Sequence, residues 1–169
     1  GADENAPAAY ARAKAEGEKA VWAACPNATI FRPSLVFGPE DQLFNRFASL
    51  ARMLPVIPVI GSQTKMQPVF VGDVARAIAD AVEGKAQAGA TYELGGPDIM
   101  TMREIWDYVL TTIERERLLV PLPFGLAKLK ATFLQFAPGM LKLTPDQVEM
   151  LKSDNVVSDA AKQANLTLE

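Results

Sequence analysis

Two residues near the start of the chain could do acid–base chemistry together. Tyr10 and Lys14 are four residues apart in the Ala-rich stretch 7–24, and in a helix such residues share a face with Cβ atoms about 5–6 Å apart. A tyrosine hydroxyl is protonated at neutral pH, but a nearby ammonium group stabilises the phenolate. The same spacing also arises by chance on the solvated face of an Ala-rich helix, so its meaning depends on the surrounding sequence.

The composition excludes most other catalytic chemistry. The 169 residues contain no histidine and one cysteine, Cys25, which excludes Ser-His-Asp and Cys-His catalysis and most zinc centres. Lys and Arg number 17 against 20 Asp and Glu, a net charge of −3, whereas nucleic-acid binding favours a basic surface. We therefore expect no metal site and no nucleic-acid partner.

Helix and strand patterns alternate along the chain. An Ala-, Lys- and Glu-rich composition predicts a helix over Pro7–Ala24. Apolar patterns and start signals predict further helices over Gln42–Leu54, Asp73–Glu83, Thr101–Arg115 and Leu126–Phe136. Short β-branched and aromatic runs predict strands over Ala28–Phe31, Val56–Ile60, Gln67–Val71, Thr91–Leu94 and Leu118–Leu122. Thr101 and Thr144 are each followed by Glu or Gln three residues later, which predicts capping boxes, and Ser158 predicts the start of a last short helix. This alternation indicates an α/β fold.

Three segments follow the Tyr10 helix in a distinctive order: PSLVFGP at 33–39, QPVFVGDVA at 67–75 and YELGG at 92–96. Together they resemble the C-terminal part of the extended short-chain dehydrogenase/reductase (NAD-dependent epimerase/dehydratase) family over nearly the whole chain. FNRF at 44–47 and DNVVS at 154–158 resemble, more narrowly, the dehydrogenase-like accessory subunits of respiratory complex I and their bacterial counterparts. The implied fold is the C-terminal, substrate-side portion of a Rossmann-like α/β protein that lacks the N-terminal dinucleotide-binding strands.

The resemblance implies roles for individual residues. Tyr10 matches the family's active-site tyrosine, and Lys14 matches the lysine that holds the nicotinamide ribose and polarises the phenol. Both are therefore candidates for catalysis and for cofactor binding. The turn beside the nicotinamide would be formed by Pro33, Ser34, Leu35 and Val36. Asn45 and Arg46 would face the substrate cleft, although the same two residues also fit the surface of an ordinary helix.

The family's dinucleotide-binding turn, Gly-x-x-Gly-x-x-Gly before a helix, does not occur in this sequence. The resemblance therefore implies a C-terminal fragment of a longer protein. Residues 1–36 would be a remnant of the Rossmann domain with the Tyr–Lys helix, and residues 37–169 would be mainly the substrate and C-terminal domain. We expect NAD or NADP to bind the full-length protein and neither to bind this chain tightly.

The stretch 118–143 is apolar and basic, with Lys128, Lys130 and Lys142 and no acidic residue. Three prolines interrupt it, so it lacks the ~20 uninterrupted apolar residues of a membrane span. The apolar face of its helix would comprise Leu126, Leu129, Phe133, Phe136 and Ala137. We expect this face to pack into the core. The alternative is a surface helix that rests on anionic lipid or on a partner subunit.

The expected location is the cytoplasm, or the periphery of the cytoplasmic membrane, because the N-terminus is acidic and polar and the cysteine is single. The resemblance favours the C-terminal part of an NAD(P)-binding, NADH dehydrogenase-related accessory subunit, with respiratory complex subunits as partners and the fragment itself inactive. The alternative is an NAD(P)-dependent sugar epimerase, dehydratase or reductase in which Tyr10 is the acid–base and Lys14 its activator. Whether the full-length protein is an oxidoreductase or epimerase-like enzyme stays open at this point.

Overall fold

Helices and strands alternate in the computed structural model, which describes residues 2–137 and 141–168. The helices of this described part are α1 (Ala9–Ala24), α2 (Leu43–Met53), α3 (Val71–Val82), α4 (Met102–Thr112), α5 (Phe124–Leu134), α6 (Pro145–Met150) and α7 (Asp159–Gln163). The strands are β1 (Ile30–Pro33), β2 (Val36–Phe37), β3 (Val56–Ile60), β4 (Lys65–Met66), β5 (Val69–Phe70), β6 (Thr91–Leu94), β7 (Met100–Thr101), β8 (Leu118–Leu122) and β9 (Thr167–Leu168). The predicted α/β class is confirmed.

The chain divides into two compact units that are interleaved in sequence. Unit 1 comprises Gly1–Gly38, Gln67–Ile99 and Asn155–Glu169, and unit 2 comprises Pro39–Met66 and Met100–Asp154. The assignment of residues 1–36 to a Rossmann remnant and of 37–169 to a substrate domain stays a prediction.

Unit 1 is built on a parallel sheet with the strand order β1-β6-β9. Ile30 of β1 pairs with Thr91 of β6, and Glu93 of β6 pairs with Thr167 of β9. A second, two-stranded parallel sheet joins β2 to β5, with Val36 opposite Val69. Because parallel strands end at the same edge of a sheet, the residues that follow β1 and β6 meet at one edge of unit 1.

A glycine pair allows close backbone contact at this edge. A Cβ atom on Gly96 would lie 2.0 Å from the carbonyl oxygen of Pro68, and a Cβ on Gly95 would lie 2.4 Å from the side-chain amide carbon of Gln67. At position 96 the clash would be with backbone, so only glycine fits there, and at position 95 a Cβ atom would displace the Gln67 side chain. The GG of the YELGG segment therefore serves the packing of the residues after β6 against those before β5.

Unit 2 is organised around the parallel pair β3–β8, in which Val56 lies opposite Leu118. One face of this pair is buried, with Ile57, Val59 and Leu119 at most 7% exposed. Helices α2 and α4 pack in the same unit through Phe47 and Trp106, whose rings stack with centroids 3.9 Å apart. Such aromatic pairs add to the free energy gained by burying their surface.

Helix α5 contradicts the expectation that its large apolar face packs into the core. Its buried residues are alanines, Ala127 and Ala131, which pack with Val148 of α6 and have no exposed surface. Four residues of the expected face are instead exposed: Leu126 by 53%, Leu129 by 60% and Phe133 by 72% on α5, and Phe136, just beyond its end, by 84%. Phe124 of α5, by contrast, packs against the buried cluster. The physical reason is that α5 and α6 approach closely over small side chains, which leaves Leu126, Leu129 and Phe133 on the opposite side of α5.

Several smaller expectations are corrected. The first strand, predicted over Ala28–Phe31, runs from Ile30 to Pro33, because these four residues pair with β6. Strand β2 lies in a stretch for which no strand is predicted, and α3 begins at Val71, the last residue of the predicted strand Gln67–Val71. Pro138 of the 118–143 stretch lies outside the described residues. Among the helices described, none combines the length and apolarity needed to cross a membrane.

Candidate functional site

Tyr10 and Lys14 lie in the first two turns of α1 and are in contact. The Lys14 ammonium nitrogen is 5.4 Å from the centroid of the Tyr10 ring, within the range of a cation–π interaction. The Tyr10 side chain is 52% exposed, so a ligand can reach it. The spacing of the two residues therefore produces the predicted pair. Their catalytic and cofactor-binding roles remain a prediction.

The start of α1 is supported by Arg12 rather than by a capping side chain. The N-cap residue, Ala8, offers no side-chain acceptor to the helix. The Arg12 guanidinium instead donates from Nη1 to the carbonyl oxygens of Ala6 and Pro7, at 2.7 and 2.8 Å. These bonds fold the residues before α1 back onto its first turn, next to Tyr10.

The turn after β1 is fastened to the sheet and to the C-terminal segment. The Ser34 backbone N–H donates to the Leu94 carbonyl oxygen at 2.8 Å, and the Ser34 hydroxyl donates to the Asn155 carbonyl oxygen at 2.6 Å. The same hydroxyl accepts the backbone N–H of Gln67 at 3.3 Å. Ser34 thus uses its polar atoms within unit 1, while Pro33 beside it is exposed.

Gln67 is a residue of this edge to which the sequence pattern assigned no role. Its side-chain amide donates to the carbonyl oxygen of Gly96 at 2.7 Å and accepts the backbone N–H of Val157 at 2.9 Å. It therefore joins the residues after β6 to the DNVVS segment. The signal that could have identified it is its position in the QPVFVGDVA segment, two residues before β5, the strand that pairs with β2.

An ion pair connects α1 to the strand that precedes the turn. The Arg32 guanidinium donates from Nε to Glu18 Oε1 at 2.8 Å and from Nη2 to Glu18 Oε2. This hydrogen bonding and the charges of Glu18 and Glu93 raise the pKa of Arg32 above its ordinary value, against the opposing effect of burial. Glu93 in turn accepts the backbone N–H of Ser158 at 2.7 Å.

Asn45 and Arg46 belong to unit 2, whereas Tyr10, Lys14 and the turn residues 33–36 belong to unit 1. The Asn45 side-chain amide donates to the carbonyl oxygens of Pro39 and Asp41, at 3.1 and 2.8 Å. Arg46 donates to the carbonyl oxygen of Lys142. Both side chains thus bind backbone within unit 2, and their place in a substrate cleft remains a prediction.

The comparison with protein families gives a match over most of the chain. Residues 2–132 match the RmlD substrate binding domain. The subunit 9 of the NADH dehydrogenase [ubiquinone] 1 alpha subcomplex from Arabidopsis thaliana mitochondria is 38% identical, over 95% of this chain and 42% of its own length. The mitochondrial NADH-ubiquinone oxidoreductase 40 kDa subunit from Neurospora crassa is 34% identical, over 95% of this chain and 42% of its own length. The chain thus spans less than half the length of these two relatives.

Solved structures agree on the fold. A nucleoside-diphosphate-sugar epimerase from Staphylococcus aureus superimposes with a TM-score of 0.69 over 99% of this chain and 58% of its own, at 15% identity. A dTDP-glucose 4,6-dehydratase from Streptomyces venezuelae, solved with NAD bound, superimposes with a TM-score of 0.55 over 93% of this chain and 48% of its own, at 20% identity. At these identities the likeness concerns the fold alone.

Proposed function

Since the chain belongs to the family of the RmlD substrate binding domain, within the extended short-chain dehydrogenase/reductase class, we propose that it is the C-terminal part of an NAD(P)-binding accessory subunit related to NADH dehydrogenase. The observation that carries this proposal is the identity of 31–38% to subunit 9 of the NADH dehydrogenase [ubiquinone] 1 alpha subcomplex in two organisms, over 95% or more of this chain. The sugar-nucleotide enzymes are similar at 15–20% identity, which supports a shared fold and gives the enzyme alternative less weight.

The residues of unit 1 fit the nicotinamide end of a dinucleotide. Open α/β sheets bind ligands at the carboxyl ends of their strands. Residues 33–36 lie at that edge, where Pro33 ends β1 opposite Leu94 of β6, Ser34 donates to the Leu94 carbonyl oxygen, and Val36 begins β2. Tyr10 and Lys14 would supply a hydroxyl donor and a cation for a ribose. Nothing in the 169 residues provides a Gly-rich turn for the pyrophosphate, so that part of NAD(P) would bind elsewhere in the whole protein. The chain alone would therefore bind NAD(P) weakly.

The two functions differ in what Tyr10 does. In the accessory subunit, Tyr10 and Lys14 hold the cofactor, and no proton transfer is needed. In the enzyme alternative, NAD(P) takes or gives a hydride when bound, and the Tyr10 hydroxyl exchanges a proton with a substrate hydroxyl. Lys14 would then stabilise the phenolate form of Tyr10.

Tyr10→Phe in the full-length protein separates these functions, because it retains the ring against Lys14 and removes only the hydroxyl. We expect the variant to bind NADPH in calorimetry and to assemble with respiratory subunits on native gels as the wild type does. The matched control is Tyr108→Phe, since Tyr108 is 58% exposed on α4 of unit 2. A turnover of nucleotide sugars that falls about 10²–10⁴-fold in Tyr10→Phe alone would establish the enzyme instead.

For the 118–143 stretch we propose contact with an anionic membrane surface. The outward face of α5 carries large apolar side chains, and the helix contains Lys128 and Lys130 but no acidic residue. Lys130 forms no ion pair with any described residue, whereas Lys128 lies 3.5 Å from Glu149. An apolar stripe bordered by lysines is typical of helices that lie in the interface of anionic bilayers.

The test is sedimentation of the full-length protein with phosphatidylglycerol-containing vesicles. We expect Lys128→Glu, Lys130→Glu and Lys142→Glu together, or Phe136→Ser alone, to abolish the anionic-lipid dependence of binding. The controls are three exposed lysines of unit 1 changed together to Glu (Lys19, Lys85 and Lys162) and Val82→Ser, which is as exposed as Phe136 at 84%. Sedimentation that does not respond to the triple-lysine or Phe136 variants would exclude lipid as the ligand of this face and leave a respiratory subunit as the alternative.

A further inference from the structure

The residue Glu18 continues the spacing of Tyr10 and Lys14 along α1. The three residues are four apart, so they lie along one side of the helix and are offset by about 40° per step. Glu18 forms the two-bond pair with Arg32. Arg32 is the residue directly before Pro33, where the turn 33–36 begins. The pair therefore joins the Tyr10–Lys14 side of α1 to the strand that leads into the proposed nicotinamide turn.

The pair lies in a partly buried setting with a further acid beside it. The Glu18 side chain is 15% exposed and that of Arg32 is 31% exposed. In the parallel register, Arg32 of β1 lies opposite Glu93 of β6, and Glu93 binds the N-terminus of α7 through Ser158. A two-bond arginine–carboxylate pair constrains both distance and direction, which a lysine cannot do.

The other described side-chain contacts of α1 are small or local. Its buried residues are Ala11 and Ala15, whose methyl groups form no hydrogen bonds. No capping side chain holds its N-terminus, and Trp22 near its end is half-buried and donates to the Ala28 carbonyl oxygen. Glu18 lies between Tyr10 and the end of α1 in sequence, and the direction of its two hydrogen bonds with Arg32 constrains the rotation of the helix.

We propose that Glu18 and Arg32 are positioning residues, which set the rotation of α1 on β1 and thereby place Tyr10 and Lys14 against the turn 33–36. The consequence for cofactor binding rests on the proposed function. The effect on the rotation of α1 does not, because it is argued from the Glu18–Arg32 pair within unit 1 alone.

The main variant is Arg32→Lys in the full-length protein, which keeps the charge and loses the two-bond geometry. We expect the NADPH dissociation constant to rise about tenfold, with a smaller effect when Lys14→Met is already present, because Arg32 acts through the placement of Lys14. The matched control is Arg103→Lys, since the Arg103 side chain forms an exposed 3.7 Å pair with Asp107 in unit 2. A lowered melting temperature with unchanged NADPH affinity would show a structural role alone and overturn the proposal.

A second measurement is independent of the cofactor. With fluorotyrosine incorporated, the ¹⁹F resonance of position 10 is identified by its loss in Tyr10→Phe. We expect Arg32→Lys and Glu18→Gln to shift or broaden this resonance and to leave that of position 108 unchanged. If the full-length protein does not bind NADPH but the resonance responds, the proposed function fails and the positioning role stands. An unchanged resonance in both variants refutes the positioning role.

Discussion

Single polar side chains hold the loops of unit 1 in place. The Gln67 side chain binds both a carbonyl oxygen after β6 and a backbone N–H of the C-terminal segment. The Ser34 hydroxyl likewise binds two backbone groups, the Asn155 carbonyl oxygen and the Gln67 N–H. The hydrogen bonds span 29 to 121 residues of sequence. Because both side chains are half-buried, the backbone groups that they satisfy have limited access to water, and losing a partner is costly.

Gln67→Ala should therefore destabilise unit 1. Two backbone groups lose their partner, and we expect a loss of about 1–3 kcal/mol in the free energy of unfolding. Urea denaturation measures the change. Gln63→Ala is the control, because Gln63 is exposed. Equal stability of the two variants would contradict the role assigned to the Gln67 side chain.

At the scale of elements, the helices differ in how their N-termini are capped. Thr101 and Glu104 form a complete capping box on α4, and Thr144 and Gln147 form one on α6. Hydrogen bonds from the backbone and the hydroxyl of Thr101 lower the pKa of Glu104 below its ordinary value of 4.5. The box on α6 uses a neutral amide, so only the box on α4 depends on pH.

The lowered pKa of Glu104 fixes how its contribution to the free energy of unfolding changes with pH. A lowered pKa means that the Glu104 contribution is fully present above pH 4.5 and is lost as the pH falls through the folded-state pKa. We expect the destabilisation by Thr101→Ala to shrink on acidification. The destabilisation by Thr144→Ala, about 0.5–2 kcal/mol, should be the same at both pH values. Thermal unfolding of both variants at pH 7 and pH 3.5 gives the comparison, and parallel losses would contradict it.

At the scale of the molecule, each unit is assembled from separate parts of the chain. The last segment, 155–169, belongs to unit 1, where β9 pairs with β6 and Val157 and Ala161 are buried. The DNVVS segment therefore begins at the boundary: its Asp154 accepts the Lys65 backbone N–H in unit 2, and the residues from Asn155 onward complete unit 1.

Truncation after Asp154 should consequently affect the two units differently. Unit 1 loses β9, α7 and the partners of Ser34, Gln67 and Glu93, while the contacts within unit 2 remain. We expect faster hydrogen–deuterium exchange in Ile30–Pro33 and Thr91–Leu94, with protection retained in Val56–Ile60 and Leu118–Leu122. Uniform exchange across all four strands would show that the units do not have separate stabilities.

Local signals explain what could be predicted from the sequence alone. The sequence predicts three strands correctly: Val56–Ile60, Thr91–Leu94 and Leu118–Leu122. It also predicts the capping boxes of Thr101 and Thr144 correctly. Each depends on side chains within a few residues of one another. The alternation of helix and strand patterns indicated the α/β class correctly, and the order of the motifs indicated the family. The Tyr10–Lys14 contact follows from helical spacing.

The tertiary structure alone determines the short strands, the orientation of α5 and the side-chain contacts between elements. Strands β2, β4, β7 and β9 are two residues long, so their existence depends on distant partners rather than on their own sequence. The apolar spacing of α5 fits a buried face and an exposed face equally, and only the close packing of Ala127 and Ala131 on Val148 turns Phe133 outward. The Glu18–Arg32 and Gln67 contacts likewise join residues far apart in the chain, because side-chain direction across elements is set by packing and not by sequence spacing.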